Sequence, residues 1–386
     1  MGKTRLKLNS FILSIFLLQV WCLTLLLIIL INPSPAMAQG TVQVIENKDK
    51  PSGSETLVLK KKMTIGKLEQ GGSAFGAIAA PGVTADGRIV VLDSIDKKIK
   101  IFDSSGKPLR EFGREGQGPG EWISPLILQM ISDEEIMVSD TGNRKLVYFD
   151  LEGKLIKEVS YAKRINIAKI YDSQGQYVAC EIGPEAGSIA FTVAKYDANF
   201  SQLFKIDTLL TPLPLGGAKI NFFDFVYDFC LDSAGNIIYS QTKDYEIKYF
   251  TPDGQLFKIV RKKYRPQTIS EKDKEEMLSM MPKTGAVNMK EMVVFPEKYP
   301  PFRSFCLDEQ NRLYVRTYEK GKTPGSYLFD IFNPEGKFIA RCEIPSSFVG
   351  SQLVWKGNRL YNVEKDEEGY QYIVIYEAKW VEGRQR

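Results

Sequence analysis

Ala85-Asp86-Gly87-Arg88-Ile89-Val90-Val91-Leu92-Asp93 and, 47 residues later, Ser132-Asp133-Glu134-Glu135-Ile136-Met137-Val138-Ser139-Asp140 follow one plan: a polar turn, a short apolar run, a closing aspartate. Each is followed by a second apolar run that ends in an Asp- and Gly-rich turn. These are Ile99-Lys100-Ile101-Phe102-Asp103-Ser104-Ser105-Gly106 and Leu146-Val147-Tyr148-Phe149-Asp150-Leu151-Glu152-Gly153, with Asp103 and Asp150 again 47 residues apart. Apolar runs this short, bounded by turn-forming residues, read as strands rather than helices.

The plan recurs down the chain. A third copy carries Asp172-Ser173-Gln174-Gly175 and Lys195-Tyr196-Asp197-Ala198-Asn199; a fourth carries Asp232-Ser233-Ala234-Gly235-Asn236 and Tyr249-Phe250-Thr251-Pro252-Asp253-Gly254. The fifth has Asp308-Glu309-Gln310-Asn311 and Ile331-Phe332-Asn333-Pro334-Glu335-Gly336, and the sixth Lys356-Gly357-Asn358-Arg359-Leu360-Tyr361. A unit of four short strands repeating every 40–50 residues is the signature of a propeller blade, because one twisted sheet buries its faces only when neighbours pack on both sides. The sixth copy lacks a fourth strand, since residues 377–386 turn polar, whereas residues 57–66 near the N-terminus read as an unpaired strand. The sequence therefore predicts an all-β, six-bladed β-propeller of four-stranded blades, closed by an N-terminal strand that completes the last blade, with a helical insertion between blades four and five.

Met137-Val138-Ser139-Asp140-Thr141-Gly142-Asn143-Arg144, followed by Val147-Tyr148-Phe149-Asp150, resembles the core of an NHL repeat. Gly113-Arg114-Glu115-Gly116-Gln117-Gly118-Pro119-Gly120-Glu121-Trp122 resembles the linker of exported bacterial six-bladed propellers of mostly unassigned function. Related scaffolds include amidating and streptogramin lyases, which rely on histidine, and lactonases, which hold a divalent metal with carboxylates in the channel. This chain contains no histidine, which excludes a Ser-His-Asp triad, a histidine general base and a histidine-ligated metal.

The first 38 residues read as an export signal: basic Lys3, Arg5 and Lys7, an apolar run over 11–31, a Pro-rich break, and the small-residue site Ala36-Met37-Ala38 before Gln39. Cleavage between Ala38 and Gln39 is the expectation; the alternative is an uncleaved anchor in the inner membrane, because 11–31 is about long enough to span a bilayer. In either case the body is expected outside the cytoplasm, periplasmic or extracellular, and touches the membrane only through that segment. Without residues 1–38 the chain has 48 basic and 47 acidic residues, so it carries no electrostatic footprint for nucleic acid. The remaining organisation reads as a flexible linker over 39–55, the propeller over 56–380 with the insertion at 264–301, and a short tail at 381–386. Cys180, Cys230, Cys306 and Cys342 sit in apolar runs without C-x-x-C spacing; three disulfide connectivities stay open beside four free core thiols.

In a four-stranded blade, the connections between strands two and three and those between blades emerge on one face, where the loops of this chain are long. Long loops on a rigid scaffold concentrate binding function. The candidates there are Arg114, Glu121, Trp122, Asp140, Arg144, Lys320 and Lys322. Trp122 would stack on a sugar or peptide if exposed, against a core anchor if not; Asp140 is also a holder of its own turn, and Arg144 a partner in a blade-to-blade ion pair. In the insertion, Ser270-Glu271-Lys272-Asp273 reads as a helix cap, with Met277, Leu278 and Met281 on one side, either as a lid or partner-docking element over the channel mouth or as a helix packed locally on a blade. The function expected is a non-catalytic binding module for a protein, peptide or glycan, without a cofactor. The alternative is a metal-dependent hydrolase or lactonase that uses channel carboxylates and a divalent cation.

Overall fold

The computed structural model describes residues 41–66, 75–161, 167–212, 219–223, 226–279, 293–346, 353–366 and 368–382. The signal segment, with Ala38 and Gln39, and the end of the insertion, with Met281, lie outside the described residues.

Six four-stranded antiparallel units follow one another along the chain. Blade one is Ile78–Val83, Ile89–Asp93, Lys98–Phe102 and Pro108–Phe112. Blade two is Pro125–Met130, Glu135–Asp140, Lys145–Asp150 and Leu155–Ser160. Blade three is Ile167–Ser173, Gln176–Glu185, Ser188–Tyr196 and Gln202–Pro212. Blade four is Asp228–Leu231, Ile237–Ser240, Glu246–Phe250 and Leu256–Lys262. Blade five is Ser304–Leu307, Leu313–Lys320, Ser326–Phe332 and Phe338–Pro345. Blade six takes Val354–Lys356, Arg359–Lys365 and Gln371–Glu382 from the C-terminus, and its outer strand is Glu55–Ile65, antiparallel to Gln371–Glu382.

The second strand of each blade explains why the apolar runs are continuous. Side chains alternate across a strand, and here both faces meet a neighbouring blade. Ile89 and Val91 pack toward blade six, whereas Val90 and Leu92 pack toward blade two. All four are fully buried, each stabilising the fold by about 1.5–3 kcal/mol. Six apolar clusters of this kind fill the spaces between successive blades, including the space between blades six and one, where Ile65, Tyr361 and Ile373 meet Ile89 and Phe102.

The turn after the third strand is fixed by its first residue. Asp103 accepts the backbone N–H of Ser105 and Lys107 (2.8 and 3.0 Å), and Gly106 supplies φ 84°, which a side chain resists. Asp150 and Gly153 repeat the arrangement one blade on.

The linker expected over 39–55 is corrected in part. Gln43–Asn47 is a fifth strand, parallel to the outer edge of blade four. Asn47 then donates to the carbonyls of Arg261 (3.0 Å) and Gly336 (2.9 Å) and accepts the Phe338 N–H (2.8 Å). Ser52 bonds the Phe338 carbonyl. The segment thus laces the outer edges of blades four and five before it enters blade six. Sequence reasoning missed this because an edge strand held by backbone bonds needs no apolar pattern, and Gln43-Val44-Ile45-Glu46-Asn47 is too short to show one.

The insertion helix spans Glu271–Ser279 and is capped as expected, with Asp273 N–H donating to the Ser270 hydroxyl at 3.1 Å. Met277 is buried in a local cluster with Phe223, Tyr299 and Tyr318.

Candidate functional site

Each first strand lines the axis of the ring, and its register against the second strand defines equivalent positions. The residues opposite Val90, Met137, Val178, Ile238, Tyr314 and Tyr361 are Gly82, Gln129, Tyr171, Cys230, Cys306 and Val354. All six border one chamber of about 1110 Å³ in the channel, which extends to the tight turns at Ser173, Ser233 and Glu309. Scaffold positions repeat from blade to blade; this ring does not.

Blades one and two present to the chamber an apolar patch of Pro81, Val83, Leu128 and Met130, flanked by Gln129, Glu135, Tyr148 and Lys157. Blades three to five present polar groups at a second register level: Lys169, Asp228 and Ser304, paired with Cys180, Ser240 and Arg316 of the adjoining strands. Lys169 Nζ donates to Asp228 Oδ1 (2.6 Å) and to the Phe229 carbonyl (2.7 Å). Asp228 also accepts the N–H of Phe229 and of Phe305 (2.9 Å each), so its charge is compensated from three sides. Burial works against the charge on Lys169, but the Asp228 carboxylate outweighs it and lifts the ammonium pKa above its ordinary value. Tyr171 beside it is raised by burial and stays a neutral donor.

The other chamber carboxylates are mostly engaged. Asp172 accepts the Tyr148 hydroxyl (2.6 Å) and the Gly175 N–H; Asp232 accepts the N–H of Ala234 and Asn236. Glu309 pairs with Lys356 and accepts the Gly357 N–H. Among the described residues, no three His, Cys, Asp or Glu side chains converge as metal ligands would.

The four thiols are free. Cys180 and Cys342 are buried, whereas Cys230 and Cys306 are half-buried on the chamber wall. Burial pushes the Cys306 thiol up to about 12, against the pull of the Trp355 indole, and raises Cys230 well above the ordinary range.

None of the seven residues singled out on the long-loop face borders this chamber. Trp122 is fully buried, edge-on to Phe149, and its indole donates to the Lys97 carbonyl at 2.9 Å, so no ligand can stack on it. Asp140, also fully buried, accepts the N–H groups of Ile123, Ser124 and Gly142, thereby fixing the linker into its own blade. Glu121 accepts the Gly118 N–H and pairs with the exposed Arg114. Arg144 is exposed in a left-handed conformation (φ 51°). Lys320 pairs with Asp273 at 2.6 Å and ties the insertion helix to blade five, and the exposed Lys322 donates its backbone N–H to Glu343. The structure thus distributes these residues over loop anchors rather than one pocket. The channel residues escaped the sequence because a first strand shows no contrast between its channel side and its blade side; only the register supplies it.

A family described as 6-bladed beta-propeller (DUF5128) matches residues 83–204. No curated protein matches the chain in sequence. Among solved structures, a DUF4221 family member from Bacteroides vulgatus is 10% identical, with 85% of this chain and 99% of that chain covered and a TM-score of 0.52. A "Putative exported protein" from Bacteroides fragilis is 11% identical over 87% of this chain and 100% of its own, with a TM-score of 0.49. The calcium-binding protein regucalcin from Agrobacterium tumefaciens is 10% identical over 89% and 100%, with a TM-score of 0.43. At such identities the likeness is one of fold, and fold does not determine function.

Proposed function

We propose that this chain, a bacterial six-bladed β-propeller, is a non-catalytic binding module of the cell envelope that holds its ligand, a peptide- or glycan-sized molecule, in the central channel. The observation that carries this reading is the chamber itself: about 1110 Å³, large enough for a substantial ligand, and lined by both apolar patches and polar groups. Four of its five carboxylates are bonded within the protein, namely Asp172, Asp228, Asp232 and Glu309, and only Glu135 at the rim stands apart. A hydrolase needs a base or a metal cluster free to activate water, and among the lining carboxylates only Glu135 is left for the role of base. Export rests on the basic, apolar and small-residue pattern of residues 1–38.

The test is thermal stability and turnover together. Unfolding is followed with Ca²⁺, Mg²⁺, Mn²⁺ and Zn²⁺ and with chelator, then against peptide and glycan panels, while lactone and ester hydrolysis is assayed in parallel. A binding module is stabilised by a panel member and insensitive to metal. A large metal-specific stabilisation accompanied by lactone turnover would sink the proposal in favour of the hydrolase. Sequencing the N-terminus of chain recovered from the envelope tests the export step, with Gln39 the residue expected first.

A further inference from the structure

Resting on the channel reading above, we infer that the chamber selects a small organic carboxylate carried on an apolar body. An ammonium has three N–H bonds. Lys169 spends two, on Asp228 and the Phe229 carbonyl, and its side chain remains 27% exposed at the chamber wall. The third faces the Tyr171 phenol on the level below, which keeps its own O–H to donate. Two blades on from Lys169, at the same register level, the half-buried Ser304 hydroxyl is bonded to no protein group among the described residues. The Lys169 charge and two hydroxyl donors thus face the chamber from one arc. The Asp228 carboxylate does not oppose an incoming anion strongly, because two backbone N–H groups and Lys169 already bind it.

The carboxylates of the arc, Asp172, Asp228 and Asp232, already accept hydrogen bonds from the protein, which leaves the Lys169 charge and the Ser304 and Tyr171 hydroxyls to a group that only accepts, and charge-assisted bonds to an ionised group are about twice as strong as neutral ones. Opposite it, Pro81, Val83, Leu128 and Met130 form an apolar patch, flanked by Gln129, Glu135 and Lys157, that matches an aromatic or aliphatic body.

The test uses three fluorescent dansyl probes with different heads: dansyl-L-phenylalanine, its neutral amide, which keeps the same body, and dansylcadaverine, which carries a cationic head on a pentyl chain. Binding to the purified chain is read by fluorescence, and its location by protection of Cys230 and Cys306 from N-ethylmaleimide at mildly alkaline pH. The acid is expected to bind at least tenfold more tightly than the amide and to protect both thiols. Lys169→Met should bring the acid down to the affinity of the amide. Because that variant leaves Asp228 without its ammonium, Ser304→Ala, which disturbs no protein hydrogen bond, is measured alongside and should weaken the acid about threefold or more. Equal affinity of acid and amide, with the thiols still protected, overturns the carboxylate assignment and leaves the channel as the binding site. Binding of a probe without thiol protection overturns the channel location as well.

Discussion

Replacing Asp140 separates a ligand-binding acid from a structural one. Its carboxylate is fully buried and receives the Ser124 N–H at 2.7 Å, the Gly142 N–H at 3.2 Å and the Ile123 N–H at 3.1–3.2 Å to both oxygens. Asp140→Ala strands three donors. A buried unsatisfied donor costs about 1–3 kcal/mol, and water can reach this loop once the side chain is gone, so the low part of the range applies and the sum is about 3–5 kcal/mol. Asp140→Asn keeps one acceptor oxygen and turns an amide donor toward the N–H groups, at about 2–3 kcal/mol. At about 2–4 °C of melting temperature per kcal/mol, alanine lowers the melting point by roughly 6–20 °C. Hydrogen exchange gives the local readout: the Ile123 and Ser124 amides should lose protection while the second-strand amides of the other blades keep theirs. Alanine within about 1 kcal/mol of the parent, or unchanged exchange at Ser124, refutes the structural assignment. A loss of ligand binding at unchanged stability would return Asp140 to a functional role.

Three more outcomes follow from the same structure. For Asp93, burial acts to raise the pKa, but the Gly76 and Ala77 N–H groups and Lys100 together hold it below its ordinary value. With the folded pKa depressed, the contribution to stability is present above about pH 3.9, the unfolded value, and is lost as pH falls through the folded one. Asp93→Asn should therefore flatten the acid limb of an unfolding-versus-pH profile, and an unchanged limb below pH 4 contradicts the linkage. Asn47→Ala removes three hydrogen bonds that join the N-terminal segment to blades four and five. It should cost about 1–3 kcal/mol in denaturant unfolding and speed proteolysis within residues 43–53; equal proteolysis rates would show that the lacing contributes nothing. Finally, the raised pKa values of Cys230 and Cys306 predict slow alkylation at pH 7 that accelerates about tenfold per pH unit toward pH 10. Cys180 and Cys342 should label only on unfolding, and fast labelling of Cys306 at neutral pH would show an ionised thiol.

The ring was legible because second-strand residues such as Val90 and Val138 face a neighbouring blade on both sides, which writes an uninterrupted apolar run into every copy. The closing partner of the last blade was legible for the complementary reason: Gln371–Glu382 needs an outer neighbour, and Glu55–Ile65 is the strand that pairs with it. The site was not legible. Asp140 and Trp122 drew attention as conspicuous polar and aromatic residues near long loops, yet both are conspicuous for holding those loops in place. A carboxylate that organises several backbone N–H groups and one that meets a ligand have the same sequence appearance; burial distinguishes them.

The same logic locates function within a repeat protein from the opposite direction. Packing between blades is nearly equivalent at each of the six interfaces, so the residues that serve it are driven toward similarity, as Phe229 and Phe305 are in blades four and five. A channel-facing position packs on its neighbours over only part of its surface, as Tyr171, Cys230, Cys306 and Val354 do, and so the fold requires less resemblance among Gly82, Gln129, Tyr171, Cys230, Cys306 and Val354. Their divergence creates the asymmetry of the chamber: a site filled by the Met130 and Leu128 side chains where Gly82 has none of its own, a donor where Tyr171 stands, thiols where blades four and five meet. A ring of six equal blades would present the same group six times, which suits an ion on the axis. Unequal groups at one register level suit instead a ligand with distinct sides, held off the axis against Lys169 and Ser304.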